Sequence, residues 1–246
     1  NFSMDVPKDI RDGEEFSLDE LKKYLSENNI SAENLSLKQF PSGYSNLTYF
    51  LQSSSKQFVL RRPPFGAKSL QGGHDMLREY NVLKNLKSQF SKVPDVFLYC
   101  DNNEILGAPF YLMERVEGYI IRPNLQQKDS PGSDIIQNVS KSLVSTLVEL
   151  HNVNIEKANL KDLGNINGYV KRQVEGWIKR YNHSKTDNIS NMDFISSWLY
   201  ENQPSEVGSS IVHNDFKYDN LVLDKDDFSK ISAVLDWEMA TIGDPF

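Results

Sequence analysis

Between His213 and Asn220 the chain runs His-Asn-Asp-Phe-Lys-Tyr-Asp-Asn, which concentrates His213, Asp215, Lys217 and Asn220 in eight residues. Apolar runs with strand character, residues 211–212 and 221–223, flank them. A polar loop framed by strands holds its side chains on a rigid base, so their spacing is informative. That spacing is His-x-Asp-x-x-x-x-Asn. Phosphoryl transfer needs a carboxylate to orient and accept the proton of an attacking hydroxyl, and an amide oxygen a few residues on for the magnesium of the nucleotide. Asp215 and Asn220 stand at that separation. A further carboxylate on a hydrophobic strand completes such a metal site, and Asp236, sixteen residues after Asn220 in Ala-Val-Leu-Asp-Trp-Glu, supplies it. Hydrolysis by His213 and Asp215 is the rival chemistry, but no serine or cysteine nucleophile in a fitting turn accompanies them.

These residues need elements to present them and a partner surface upstream. Residues 35–40 alternate apolar and polar, Pro41-Ser42-Gly43 breaks the pattern and 47–51 resumes it, which predicts a strand, loop, strand unit. A turn of Gly, Ser and Asn brings backbone N–H groups and hydroxyls close to phosphates, making Gly43, Ser45 and Asn46 candidates. An ordinary hairpin turn has the same composition. Residues 57–62 predict a third strand that ends in Arg61 and Arg62 and is stopped by Pro63-Pro64. The spacing then predicts a helix over 75–89, with Met76, Tyr80, Leu83 and Leu86 on the apolar face and Arg78, Glu79, Lys84 and Lys87 on others. A strand cation bridged by a helix glutamate is thereby aimed at phosphates, and Arg61 or Arg62 with Glu79 could form that pair. Taken alone, Glu79 would be a solvated helix charge. Strands over 96–100 and 109–116 close a small antiparallel sheet, and residues 113–118 form a connector whose backbone, at Glu114, is a candidate for an adenine edge.

Outside this set the sequence predicts packing rather than chemistry. Residues 1–15 are polar and predict a loose leading arm. Ser17 and Glu20 form a capping-box pattern for a first helix ending near Asn28. Apolar spacing predicts a core helix over 133–151 and helices over 169–181 and 192–200, with Trp177 and Trp198 as packing residues. With 34 acidic against 27 basic residues, the net charge of -7 argues against a nucleic-acid partner. No apolar run approaches the ~20 residues of a membrane span. Cys100 is the only cysteine, which excludes an intrachain disulfide and fits a cytoplasmic setting.

The motif His213-Asn214-Asp215 with Asn220, followed by Leu235-Asp236-Trp237-Glu238 and Gly243-Asp244-Pro245, resembles the aminoglycoside phosphotransferase and choline kinase-like family, which has the protein-kinase fold. Residues 40–46, 59–64, 78–80, 110–114 and 163–177 are similar to the subgroup associated with acyl-CoA dehydrogenases. The resemblance covers nearly everything from residue 35 on. It implies a two-lobed α+β fold, with a small antiparallel-sheet lobe over 1–115 that binds nucleotide. A mostly helical lobe over 116–246 would carry the catalytic loop and metal site. The implied activity is ATP-dependent transfer of the γ-phosphate to a hydroxyl of a small molecule, either aminoglycoside-like or a hydroxylated metabolite or acyl compound. In it Asp215 is the catalytic base, Asn220 and Asp236 hold Mg2+, and Lys217 lies near the γ-phosphate. Gly43, Ser45 and Asn46 cover the triphosphate, and His213 is structural.

Three departures qualify the resemblance. Arg61 or Arg62 stands where many kinases place lysine, and a planar guanidinium binds phosphate differently from an ammonium. Trp237-Glu238 replaces the Phe-Gly of protein kinases and favours the small-molecule branch. The family continues beyond the position of Phe246 with helices that complete the large lobe, so part of that lobe is expected to be missing or the acceptor side altered. A catalytically inactive nucleotide-binding module is the alternative, motivated by the arginine and the early end. The joint presence of Asp215, Asn220 and Asp236 favours the enzyme.

Overall fold

Five short strands build the first lobe: β1 (Ser36–Gln39), β2 (Leu47–Gln52), β3 (Gln57–Arg62), β4 (Val96–Cys100) and β5 (Phe110–Glu114), in the order β1-β2-β3-β5-β4. Every pairing is antiparallel. The computed structural model describes residues 6–41, 45–66, 74–122 and 132–246. Period-two alternation gives the sheet two buried faces. Leu47, Tyr49, Leu51, Phe58, Leu60 and Leu112 point to one, where Leu21 and Leu25 of helix α1 (Leu18–Glu27) cover them. Those two leucines are four apart, one helical turn, so both reach the sheet from one face. Val59, Tyr111 and Met113 point to the other face, against Met76, Leu83 and Leu86 of helix α2 (Met76–Leu86). A one-turn helix, α3 (Asn103–Leu106), fills the β4–β5 connection.

The second lobe is mainly helical: α4 (Ser133–His151), α5 (Tyr169–Ser184) and α6 (Met192–Glu201). Two antiparallel ribbons follow, β6 (Ser210–Val212) with β9 (Thr241–Gly243), and β7 (Leu221–Leu223) with β8 (Ile231–Val234). The apolar core behind α2 continues into this lobe through Val139 and Leu150 of α4, Ile211, Leu221, Val234 and Trp237. Two glycines permit close approaches within this lobe. A Cβ on Gly118 would stand 2.1 Å from the Leu223 carbonyl oxygen, and one on Gly164 2.3 Å from Thr241 Oγ1. Among the described residues no helix is long and apolar enough to cross a membrane.

The architecture is the expected α+β one, but several local expectations change. The leading arm is not loose over the described part. Lys8 and Gln39 exchange backbone hydrogen bonds at 2.8 Å, and the Tyr49 hydroxyl donates to the Glu14 carbonyl at 2.7 Å. β1 is an edge strand with unpaired backbone groups on its outer side, and the arm satisfies some of them. Ser17 has the extended backbone of an N-cap but its hydroxyl makes no cap bond, so the capping box does not form. Helix α4 is only partly a core helix, since Val144 and Val148 are exposed. Trp177 and Trp198, expected to pack, are 60% and 52% exposed, and neither α5 nor α6 buries a residue.

Candidate functional site

Strand parity decides between the two arginines. Arg61 shares the face of Val59 and looks toward α2 and the second lobe, whereas Arg62 follows Phe58 and Leu60 to the α1 side. There Arg62 donates to the carbonyls of Leu106 at 2.8 Å and Pro63 at 3.1 Å, with its guanidinium 3.7 Å from the Phe65 ring. It is therefore removed from the site and serves the fold. Arg61 is the centre of a charged cluster: Nη1 lies 3.2 Å from Glu79 Oε1, and Nη2 lies 3.1 Å from Asp236 Oδ1 and 3.7 Å from Glu238 Oε2. Burial opposes its charge, but the surrounding carboxylates outweigh that and hold its pKa above the ordinary value.

Glu79 is not on a solvated face of its helix. It sits in the buried stripe with Met76, Val82, Leu83 and Leu86, and is 1% exposed. The signal was present in the sequence: positions 76, 79, 83 and 86 are spaced three or four apart, and a carboxylate within an apolar stripe implies a dedicated partner. Burial pushes its pKa up to about 6 against the opposing pull of Arg61. Its Oε1 also accepts from the Trp237 backbone N–H at 3.2 Å, which ties α2 to the turn bearing Asp236. One residue earlier, Arg78 adds a clamp through the carbonyls of Glu238 at 3.1 Å, Leu163 at 3.3 Å and Ala240. Burial lowers the Arg78 pKa.

The polar stretch between β6 and β7 is fixed to the Asp236 turn from the other side. His213 is buried, and its Nδ1 accepts from the Asp215 backbone N–H at 3.2 Å while Nε2 meets the Leu235 carbonyl at 2.9 Å. An amide N–H can only donate and a carbonyl can only accept, so the bonds assign the proton to Nε2 and a neutral ring. Burial lowers the pKa of His213, in keeping with that state. The side chain joins the Asp215 loop to the segment that leads into Asp236. Asn214 and Asp236 both adopt left-handed backbone, with φ of 64° and 66°. Such conformations are costly for residues with a Cβ, and here they aim adjacent polar side chains. Asn214 is held by a bond from its amide to the Met239 carbonyl at 3.0 Å.

Asp215 Oδ2 accepts from Asn220 Nδ2 at 2.9 Å and pairs with Lys217 Nζ at 3.0 Å, leaving the carboxylate 30% exposed. That pairing raises the Lys217 pKa. Asn220 Nδ2 also donates to the Asp215 carbonyl at 3.0 Å. Both bonds use the amide nitrogen, so Oδ1 remains as the Asn220 acceptor. It belongs to a cleft of about 590 Å³ lined also by Asp236, Arg61, Lys217, Val59, Met113 and Leu235. A metal held by Asn220 and Asp236 would have two protein ligands. Among the described residues no group of three or more His, Cys, Asp and Glu is placed to hold an ion. This donor set fits magnesium, which retains waters and takes phosphate oxygens, and does not fit zinc. Three carboxylates surround Arg61, more negative charge than its guanidinium alone offsets.

The remaining candidates fall unevenly. Gly43 lies outside the described residues. Ser45 and Asn46 line the cleft, and Asn46 is buried, with Nδ2 donating to Glu238 Oε2 at 2.6 Å and Oδ1 at 2.8 Å from His74 Nδ1. Glu238, whose pKa burial and neighbouring Asp236 raise, thus links the Ser45–Asn46 turn to the Asp236 turn. Glu114 lines the cleft beside Met113, but its carboxylate accepts from the Asp95 N–H at 3.1 Å and its own N–H donates to the Asp95 carbonyl at 2.7 Å. The connections through Glu238, Arg78 and His74 escaped sequence reasoning because each joins segments remote along the chain. Only the charge of Glu238 between the apolar Trp237 and Met239 hinted at a buried role.

A profile of the phosphotransferase enzyme family matches residues 36–246. The rat protein named acyl-CoA dehydrogenase family member 11 is 39% identical over 251 residues, covering 98% of this chain and 32% of its own length. Mouse acyl-CoA dehydrogenase family member 10 is 34% identical over 231 residues, covering 93% of this chain and 21% of its own. The chain therefore spans a third or less of these curated relatives. Among solved structures, a Ralstonia eutropha protein classed with the aminoglycoside phosphotransferases superposes with a TM-score of 0.80 at 29% identity, over 94% of this chain and 67% of that one. The GDP and kanamycin complex of APH(2")-IIia gives a TM-score of 0.68 at 17% identity, over 93% and 75% of the two chains, a likeness of fold alone.

Proposed function

The chain belongs to the phosphotransferase enzyme family, and from that premise we propose that it is an ATP-dependent kinase of a small-molecule hydroxyl. One observation carries this. Arg61 is held between Glu79 and Asp236 at 3.2 and 3.1 Å, and Asn220 is held on Asp215 at 2.9 Å, so the two halves of a phosphoryl-transfer site meet across one cleft. The apolar slot formed by Val59, Met113 and Leu235 suits a purine, with the Glu114 backbone at its edge. The division into a nucleotide lobe over 1–115 and a catalytic lobe over 116–246 follows from the same assignment.

In the proposed reaction an acceptor hydroxyl approaches the γ-phosphorus of ATP. Asp215 orients that hydroxyl and takes its proton as the new P–O bond forms and the bond to the β-phosphate oxygen breaks, leaving ADP. Lys217, already paired with Asp215, and Arg61 offset charge on the transferring group. Magnesium held by Asn220 and Asp236 would neutralise the nucleotide phosphates. The buried Glu79 and His213 do not touch substrate: Glu79 aims Arg61, and His213 fixes the Asp215 loop.

For the acceptor we infer a hydroxylated metabolite or acyl compound in preference to an aminoglycoside. Support comes from relatives at 34–39% identity that carry acyl-CoA dehydrogenase names, whereas the kanamycin complex is similar only in fold. The single, buried Cys100 suits a reducing compartment such as the cytoplasm. The test is ADP release with Mg2+ and ATP over a panel of hydroxyacyl compounds, other hydroxylated metabolites and aminoglycosides. Acceptor-dependent turnover with an acyl or metabolite member is expected. ATP binding without turnover across the panel would return the inactive nucleotide-binding module.

A further inference from the structure

Three buried polar atoms at the base of the cleft have no partner in hydrogen-bond geometry among the described residues: Arg61 Nε, Glu79 Oε2 and the Tyr111 hydroxyl. Sheet register brings them together. Tyr111 of β5 stands directly opposite Arg61 of β3, and directly opposed residues present their side chains on one face. Tyr111 is wholly buried there, with its ring edge-on to Tyr80 at 6.3 Å between centroids. Packing alone would be met by phenylalanine, as it is at Phe110 one residue earlier. A buried hydroxyl without a use destabilises a fold. Glu79 shows the complementary need: Oε1 accepts from Arg61 and from the Trp237 N–H, both at 3.2 Å, while Oε2 is an anionic oxygen without a donor. Burial and the adjacent Glu79 charge keep the phenol un-ionised, so it retains a proton to give.

We propose that Tyr111 is a positioning residue for nucleotide binding: its O–H donates to Glu79 Oε2, so that the carboxylate is gripped through both oxygens and Arg61 is aimed at the nucleotide phosphates. Tyr111 does not line the cleft and acts only through Glu79 and Arg61. The hydroxyl and Glu79 Oε2 stand outside hydrogen-bond geometry here, and the bond closes when phosphate draws Arg61 forward, as such bonds commonly tighten in loaded sites. The inference rests on the kinase assignment above.

Calorimetric titration of the whole chain with Mg2+ and ATP, and separately with adenosine, tests it. Tyr111→Phe keeps the ring and should leave adenosine affinity within about twofold while weakening ATP about tenfold, since the lost bond is to a charged group. Glu79→Asp, which keeps the charge but withdraws the carboxylate from Tyr111, should give the same split between ATP and adenosine. In a Glu79→Gln background, Tyr111→Phe should add nothing further. Equal loss of ATP and adenosine would reduce Tyr111 to a packing residue and overturn the proposal. So would unchanged ATP affinity in Tyr111→Phe, or full additivity with Glu79→Gln. Wild-type protein that binds adenosine and ATP equally, or neither, would overturn the kinase assignment itself, an outcome distinct from an unresponsive Tyr111 variant.

Discussion

Trp237 and Trp177 mark two regions built on different terms. Trp237 is wholly buried, donates its indole N–H to the Val234 carbonyl at 2.8 Å, and packs 4.6 Å from the His213 ring and 6.3 Å from Phe90. Trp177 is 60% exposed, with the Arg180 guanidinium 4.8 Å from its ring. Around Trp237, three polar side chains of the wedge between the lobes have partners from distant segments: Arg61 from α2 and the Asp236 turn, His213 from residues 215 and 235, and Arg78 from 163, 238 and 240. The α5–α6 pair carries Phe194, Trp198 and Tyr200 exposed as well. The wedge shows that polar groups can be fixed within a core when each has reciprocal partners. The α5–α6 pair shows that an apolar pattern specifies a helix without specifying what will cover it.

The largest effect should come from the catalytic end of the wedge. Asp215→Asn preserves an acceptor for the Asn220 amide but removes the base, so phosphoryl transfer should fall roughly 10²–10⁴-fold. ATP affinity and melting temperature should hold, because Asp215 does not line the cleft proposed for the nucleotide. Single-turnover transfer alongside nucleotide titration checks both, and parallel loss of ATP binding would refute the division of labour. Trp237→Ala should follow, with a loss of about 3–5 kcal/mol in denaturant unfolding from the cavity and the abandoned contacts. A loss under about 1 kcal/mol would mean the wedge is not the packed centre that its burial implies.

How much of this was visible in the sequence depended on whether a feature is local or shared. Strands β1 to β5 and helices α1, α2, α4, α5 and α6 were legible because period and breaker residues act over a few positions, and Asp215, Asn220 and Asp236 could be named as candidates because their spacing is local to two short motifs. The choice between Arg61 and Arg62 was not legible. Parity says that they face opposite ways, but only the packing of α1 and α2 says which side is the cleft. Glu79 taken alone reads as a solvated helix charge, because a charge is normally a surface mark, and its pairing with a strand arginine follows only from the series of elements around it, although its spacing with Met76 and Leu83 already places it in the stripe. Trp177 and Trp198 were assigned to a core by the same habit in reverse. The links from Glu238 to Asn46 and from Arg78 to residues 163, 238 and 240 cross up to 192 positions, a separation that no local pattern records.

The wedge also sets function against stability at Glu79. Its folded pKa of about 6 exceeds the ordinary 4.5, so the folded chain holds a proton that the unfolded chain has released between those values. Stability should therefore decline as pH rises from about 4.5 to about 6, by about 2 kcal/mol at this site, and the cost should persist above that window. ATP affinity should move the other way, weakening as pH falls through about 6, because neutral Glu79 no longer holds Arg61. Glu79→Gln should flatten both profiles across this window. Opposed slopes in the wild type that survive the substitution would assign the titration to another group.

The smallest effect is expected at the α5–α6 pair. Trp177→Ser and Trp198→Ser remove large apolar side chains, yet each should change unfolding free energy by no more than about 0.5 kcal/mol, as surface substitutions usually do. The contrast with Trp237→Ala is the sharper quantity, since a tryptophan is truncated to a small residue in each case and burial is the main difference. If the tryptophans are exposed in solution as they are here, the double substitution should also reduce binding of a hydrophobic dye and raise solubility. A melting-temperature loss for Trp177→Ser approaching that of Trp237→Ala would mean that the α5–α6 face is covered in solution. Analytical ultracentrifugation of wild type and variant would then show whether a second copy supplies the cover.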